Sequence, residues 1–184
     1  MRKIWLTINF PRLLPFLICF LLNKKQMEAD LSVFMNYGIK RKLKSKILSM
    51  FSLLIFNKEY RNIFLLRQSL IVRKILSIFF FPLLSLYIVT SSNSIGKGLL
   101  VVHGFSTIIN AKKNGKNFTI YQQSTVGYGK TGKPVIGNNV TIYAGAIVVG
   151  DITIGDNCVI GAGAVINKSI PPNSICVGKG FRIL

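Results

Sequence analysis

The chain predicts a mainly β fold: a parallel β-helix of hexapeptide repeats, about four coils over residues 95–184, behind a basic, apolar and α-helical region over residues 1–94. Three observations predict it. Ile136, Ile142, Val148, Ile154, Ile160 and Ile166 fall at unbroken intervals of six. Four residues after each comes Val140, Ala146, Ile152, Cys158, Ala164 or Ile170, again apolar and often small. Helical patterning stops at the polar stretch Ser91, Ser92, Asn93 and Ser94, which is taken as the domain boundary. A period of six suits a triangular coil whose short strands meet at tight turns, three hexapeptides to a coil, each coil pairing with the next about 4.8 Å away.

The N-terminal region is cationic and apolar at once. Lys and Arg number 24 against 5 Asp and Glu, and 15 of those bases precede Ile95, where the only acids are Glu28, Asp30 and Glu59. Such a surface attracts polyanions, and the apolar runs Leu13–Leu22 and Ile75–Val89 favour lipid over nucleic acid. Neither run reads as a spanning helix, which needs about 20 apolar residues; the first, extended back to Ile4, takes in Asn9, Pro11, Arg12 and Pro15. Both read as interfacial or buried. A secretory signal fits poorly, because Asn23, Lys24 and Lys25 follow the apolar core where small residues should mark cleavage. A cytoplasmic protein, peripheral on the inner face of the membrane, is the expectation.

From Gln26 to about Leu70, apolar residues recur at helical spacing, as in Leu43, Ile47, Met50, Phe51, Leu54 and Ile55. Lys40, Arg41, Lys42, Lys44 and Lys46 form a basic run beside that stripe. It either lays a helix on an anionic bilayer or faces solvent on a bundle.

Within the repeat, Ile108, Ile120 and Val126 share one phase, while Ile95 and Val101 share another one residue out of step. Between Val126 and Ile136 the interval is ten, so four residues are inserted around Tyr128–Lys133 as a protruding loop. Gly96, Gly127, Gly137, Gly155 and Gly161 directly follow repeat aliphatics, where close backbone approach or positive φ favours glycine. Cys19, Cys158 and Cys176 are scattered, so they predict neither disulfides nor a metal site. Cys158 occupies a packing slot. The sequons at Asn117, Asn139 and Asn167 mean little in a chain that is not secreted.

The segments IGKGLLVVHG, GKTGKPVIG, IYAGAIVVGDITIGDNCVIGAGAVINKSIPP and VGKGFRIL resemble the hexapeptide-repeat acyltransferases, in the branch of serine O-acetyltransferases and polysaccharide O-acetyltransferases. The resemblance covers Ile95 to the C-terminus, with an echo in FNKEYRNIFLLR. It implies a left-handed β-helix, a homotrimer, and acetyl-CoA as co-substrate with no metal. It implies that His103 is the general base, taking the acceptor's hydroxyl proton as the oxygen attacks the thioester. An imidazole with pKa near 6.5 suits that task, which contributes roughly 10² to 10⁴-fold.

The resemblance also assigns Ala144, Gly145, Ala162, Gly163 and Gly178 to the pantetheine arm, and Lys168 and Arg182 to the coenzyme's phosphates. It implies that the loop carrying Tyr128 and Lys133 frames the acceptor pocket, and Gln122, next to that loop, either touches the acceptor or is a wall residue making backbone bonds. The chain departs from serine acetyltransferases at Ile88 and Val102, where those enzymes carry acids, and at Lys133, where they carry a second histidine. Gly180 replaces their proline. A sugar hydroxyl of a surface polysaccharide or its precursor is therefore the expected acceptor, with L-serine as the alternative and a non-catalytic scaffold as the second. A backbone carbonyl is expected to orient the imidazole, since Asp151 and Asp156 lie coils away.

Overall fold

The computed structural model describes residues 2–38 and 45–178. Leu43, most of the basic run (Lys40, Arg41, Lys42 and Lys44), Gly180 and Arg182 lie outside the described residues. The chain forms two units, dividing between Leu83 and Leu84.

The first unit holds α1 (Arg2–Leu22), α2 (Lys24–Gly38), α3 (Lys46–Phe56), α4 (Lys58–Leu66) and α5 (Leu70–Phe79). Amphipathic spacing produces the core: Leu13, Phe16 and Phe20 of α1 meet Met27, Leu31 and Phe34 of α2, Met50 and Leu54 of α3, and Tyr60, Ile63 and Phe64 of α4. Phe34 packs edge-on against Tyr60 at 5.3 Å, and Phe16 lies tilted against Phe64 at 5.4 Å. Pro11 and Pro15 are carried inside α1 without ending it. Asn57 separates α3 from α4 because its side-chain oxygen accepts from the Tyr60 N–H at 2.6 Å, capping the first orphan donors of α4.

Several bases here are structural. The Arg61 guanidinium donates to the carbonyls of Leu54, Ile55 and Phe81, closing the end of α3. Arg73 does the same for Leu65 and Leu66 at the end of α4. Arg67 forms a bidentate pair with Asp30 at 2.8 and 3.3 Å, both side chains buried.

The second unit is a left-handed parallel β-helix. Among the described residues it has thirteen strands, numbered along the chain, in three sheets. Sheet 1 holds β1 (Leu86–Ile88), β3 (Thr107–Ile109), β6 (Thr125–Gly127), β9 (Ile147–Val149) and β12 (Val165–Ile166). Sheet 2 holds β4 (Lys113–Asn114), β7 (Val135–Ile136) and β10 (Thr153–Ile154), extended by bridges at Ile95 and Ile170. Sheet 3 holds β2 (Leu100–Val102), β5 (Thr119–Tyr121), β8 (Thr141–Ile142), β11 (Val159–Ile160) and β13 (Ile175–Cys176).

The chain visits the sheets in the order 1, 2, 3 and makes five coils rather than four. The additional coil begins inside the run Ile75–Val89: α5 stops at Phe79, and β1 pairs with β3. The polar stretch expected to divide the domains is a 3-10 turn, Ser92–Ser94, within that coil. Register explains the period of six. Val101, Ile120, Ile142, Ile160 and Cys176 stack as one inward column, and Ile136, Ile154 and Ile170 belong to another. Ile136, Ile142, Val148, Ile154 and Ile160 are all at most 1% exposed, and so is Cys158 in its packing slot.

One phase assignment is corrected. Ile109, not Ile108, points inward: Ile109 is fully buried and Ile108 is 38% exposed. The cause lies at the preceding corner, described below.

The corners between sheets 2 and 3 carry two columns that fix the stacking. Asn117, Asn139, Asn157 and Asn173 each adopt φ between 55° and 61°, and each amide nitrogen donates to the next oxygen at 2.9 Å. Asparagine tolerates the left-handed region, and a parallel coil repeats it in register. Beside them run Gly96, Gly115, Gly137 and Gly155, where a Cβ would lie 2.4 Å from an atom of the next coil. Close approach, not positive φ, demands these glycines. Gly127 meets no such obstacle, with nothing nearer than 3.9 Å.

Candidate active site

The corner leading from sheet 3 to sheet 1 departs from the repeat at His103. Val102 pairs with Tyr121 and Ile108 with Thr125, so residues 103–107 of this coil face only 122–124 of the next. The surplus chain buckles outward: His103 takes φ 49° and Ser106 φ 51°. The His103 carbonyl accepts from the Phe105 N–H at 2.7 Å, and the Phe105 carbonyl from the Gln123 N–H at 3.1 Å, which pins the bulge. A bulge and a left-handed histidine both cost free energy that a plain repeat would avoid. They lift an exposed imidazole from the buried strand Leu100–Val102. No hydrogen bond from another described residue reaches that imidazole, so no orienting carbonyl is found among the described residues.

Directly along this corner lie the positions expected to hold the coenzyme arm. Register carries His103 to Gln122, then to Ala144, Ala162 and Gly178, with Gly145 and Gly163 beside them. The Gly145 N–H donates to the Gln122 carbonyl at 3.0 Å and the Gly163 N–H to the Ala144 carbonyl at 2.9 Å. Gly145 and Gly163 take φ 70° and 66°. A Cβ on Gly163 would meet nothing within 4 Å, so the corner at that point is bounded by open space. The Gln122 Oε1 atom is buried without a hydrogen-bond partner.

Tyr128, Lys133 and Lys168 stand elsewhere, at the corner from sheet 1 to sheet 2. The structure does not bring them to His103 within one chain. Tyr128 and Lys133 do belong together, the ammonium lying 4.8 Å from the ring centroid. Their loop is shaped by the Gly129 N–H donating to the Gly132 carbonyl at 2.9 Å and is tied to the next coil by the Asp151 N–H donating to Thr131 Oγ1 at 3.1 Å.

One feature of the site was missed in the sequence. Tyr121 and Tyr143, each immediately before a corner residue, stack with centroids 4.9 Å apart and planes 27° apart on the outer face of sheet 3. Their 22-residue separation is the signal, since it matches the step from Asn117 to Asn139 across the coil with the inserted loop.

Residues 133–168 match the bacterial transferase hexapeptide family (six repeats). The matched residues run from just before β7 to just after β12. The chain is 37% identical over 103 residues to the putative colanic acid biosynthesis acetyltransferase WcaB of Escherichia coli K12, covering 53% of this chain and 62% of that protein. It is 45% identical over 91 residues to a Staphylococcus xylosus serine acetyltransferase, covering 46% and 41%. It therefore spans less than two thirds of these curated relatives. Among solved structures, the chain resembles serine acetyltransferase isoform 3 of Entamoeba histolytica, with TM-score 0.66, 19% identity and coverage of 92% and 63%. Serine acetyltransferase of Brucella abortus, solved with coenzyme A, matches with TM-score 0.60, 22% identity and coverage of 92% and 72%. At these identities the solved structures speak to the fold.

Proposed function

We propose that this protein is an acetyl-CoA-dependent O-acetyltransferase whose acceptor is a sugar hydroxyl of a surface polysaccharide or its precursor. The observation that carries the reading is the corner line: an exposed, left-handed His103 at the head of a row of small residues open to solvent. Coenzyme A lies along Ala144, Gly145, Ala162, Gly163 and Gly178 and supplies the acetyl thioester. Neutral His103 accepts the hydroxyl proton as the acceptor oxygen bonds to the thioester carbonyl carbon. The tetrahedral adduct collapses with loss of the C–S bond, and the imidazolium returns its proton to the leaving sulfur. Acetyl ester and free thiol are the products. The unpartnered Gln122 Oε1 accepts a hydrogen bond from the acceptor or the arm.

A homotrimer completes the site. Tyr128, Lys133 and Lys168 occupy a different corner from His103, so a neighbouring subunit must present them to it. Lys168 then meets the coenzyme's phosphates, the role that the resemblance also gives to Arg182. The cytoplasm, where acetyl-CoA is made, is the working compartment.

The sugar is favoured over L-serine because Val102, beside His103, is buried and apolar and offers an amino-acid ammonium no charge. The stacked Tyr121 and Tyr143 also offer an apolar face suited to a ring. The likeness to serine acetyltransferases in both sequence and fold supports L-serine as the second reading. Thiol release from acetyl-CoA by the full chain, with L-serine and a panel of nucleotide sugars and oligosaccharides, separates them. Sugar-dependent release is expected. Serine-dependent release would establish the second reading, and silence with every acceptor would favour a scaffold.

A further inference from the structure

The helical unit presents apolar surface that neither its core nor the corner line uses. α1 buries Leu13, Phe16 and Phe20 on one face, yet its opposite face exposes Leu14, Ile18 and Leu22 by 44 to 79%. α5 buries only Leu76 and exposes Ile71, Ile75 and Ile78 by 52 to 74%. The two helices are neighbours, since Arg12 of α1 donates to the Phe79 carbonyl of α5 and lies 4.7 Å over the Phe80 ring. A helix apolar on all sides belongs in an apolar medium, and contiguous exposed apolar surface marks an interaction site.

Charge selects the occupant. Neither α1 nor α5 contains an acid. Exposed Lys24 and Lys25 follow α1, and exposed Lys74 lies on α5 between the stripe residues. Elsewhere in the unit, Asp30 is buried against Arg67, Glu28 is paired with Lys46 at 3.3 Å, and Glu59 lies in the first turn of α4. A second copy meeting this face through a two-fold axis would bring together two lysine-bordered stripes on acid-free helices, with no opposite charge from either helix. An anionic lipid surface accepts both the apolar stripe and its cationic border.

We infer that α1 and α5 dock this protein on an anionic bilayer, with Ile18 and Ile75 entering the acyl boundary and Lys24, Lys25 and Lys74 at the headgroups. No helix among the described residues is long and apolar enough to cross a membrane, so the contact is peripheral. The inference does not rest on acetyl transfer.

Co-sedimentation of the full chain tests it, using vesicles of phosphatidylcholine alone and of equal parts phosphatidylcholine and phosphatidylglycerol. Wild type should partition about tenfold more strongly onto the anionic vesicles, and added salt should weaken binding. Ile18→Asp with Ile75→Asp should abolish binding while leaving the circular dichroism spectrum and melting temperature unchanged, because both side chains are exposed. Lys24→Gln, Lys25→Gln and Lys74→Gln together should remove the preference for anionic lipid. The proposal is overturned if wild type ignores anionic vesicles at low salt, or if the double aspartate variant still binds. It is equally overturned if that variant loses a self-association seen by light scattering while wild type shows no vesicle binding.

Discussion

The Asn139 amide accepts from Asn117 and donates to Asn157, both at 2.9 Å, while its backbone holds φ 55°. Replacing it with alanine forfeits both bonds and leaves a Cβ in the left-handed region, so Asn139→Ala should cost about 2 to 3 kcal/mol. Asn139→Gly, which keeps the backbone at ease, should cost clearly less; urea denaturation compares them. Two of these ladder asparagines look like sequons in the sequence, and their real role is hidden because it depends on coil lengths that differ. The same corners hold Asp156, whose carboxylate accepts from the Asn138 backbone N–H at 2.7 Å and from its side-chain nitrogen at 3.1 Å. Those bonds hold its pKa below the usual carboxylate value. A folded pKa below the unfolded one stabilises above the unfolded pKa, about 3.9, and that contribution is lost as pH falls through the folded value. The stability difference between wild type and Asp156→Asn should therefore be constant near neutrality and shrink below about pH 4. Thermal melts across that range check it.

Elements in this protein are held by backbone proximity in one unit and by arginine in the other. A Cβ at Gly115 would lie 2.4 Å from the Gly137 carbonyl oxygen, and neither backbone can retreat without separating two coils. Gly115→Ala should cost about 3 kcal/mol or more and reduce soluble yield. Gly163→Ala adds a methyl into open space at φ 66°, so its stability loss should be near 1 kcal/mol, while its KM for acetyl-CoA rises. In the helical unit, Arg67→Ala strands Asp30 as a buried charge and should cost about 3 to 5 kcal/mol by denaturant titration. The 15 bases before Ile95 enter the sequence reading only as a count, in which Arg61, Arg67 and Arg73 are not set apart. Composition cannot separate a surface cation from one that satisfies carbonyls at a buried helix end.

At the scale of the whole molecule, the repeat was legible because six-residue spacing maps directly onto inward columns, and the middle coils needed no other cue. The first coil was not. Its opening strand Leu86–Ile88 hides inside an apolar run that resembles a helix, and the bulge at His103 shifts the phase so that Ile108 takes the place in the pattern that Ile109 fills in space. The residues expected around the donor and acceptor separate in the same way. His103, Gln122 and the small residues share one corner; Tyr128, Lys133 and Lys168 share another. A linear sequence does not reveal which corner of a triangular coil a residue occupies until every insertion is placed. The central claim is that His103 acts as a base on a corner that binds acetyl-CoA. It is tested most directly by steady-state thiol release with wild type and His103→Ala, varying acetyl-CoA at a fixed level of an acceptor that supports turnover. The account predicts a kcat at least about 10²-fold lower in the variant, with the KM for acetyl-CoA unchanged. Equal kcat in the two proteins would contradict it.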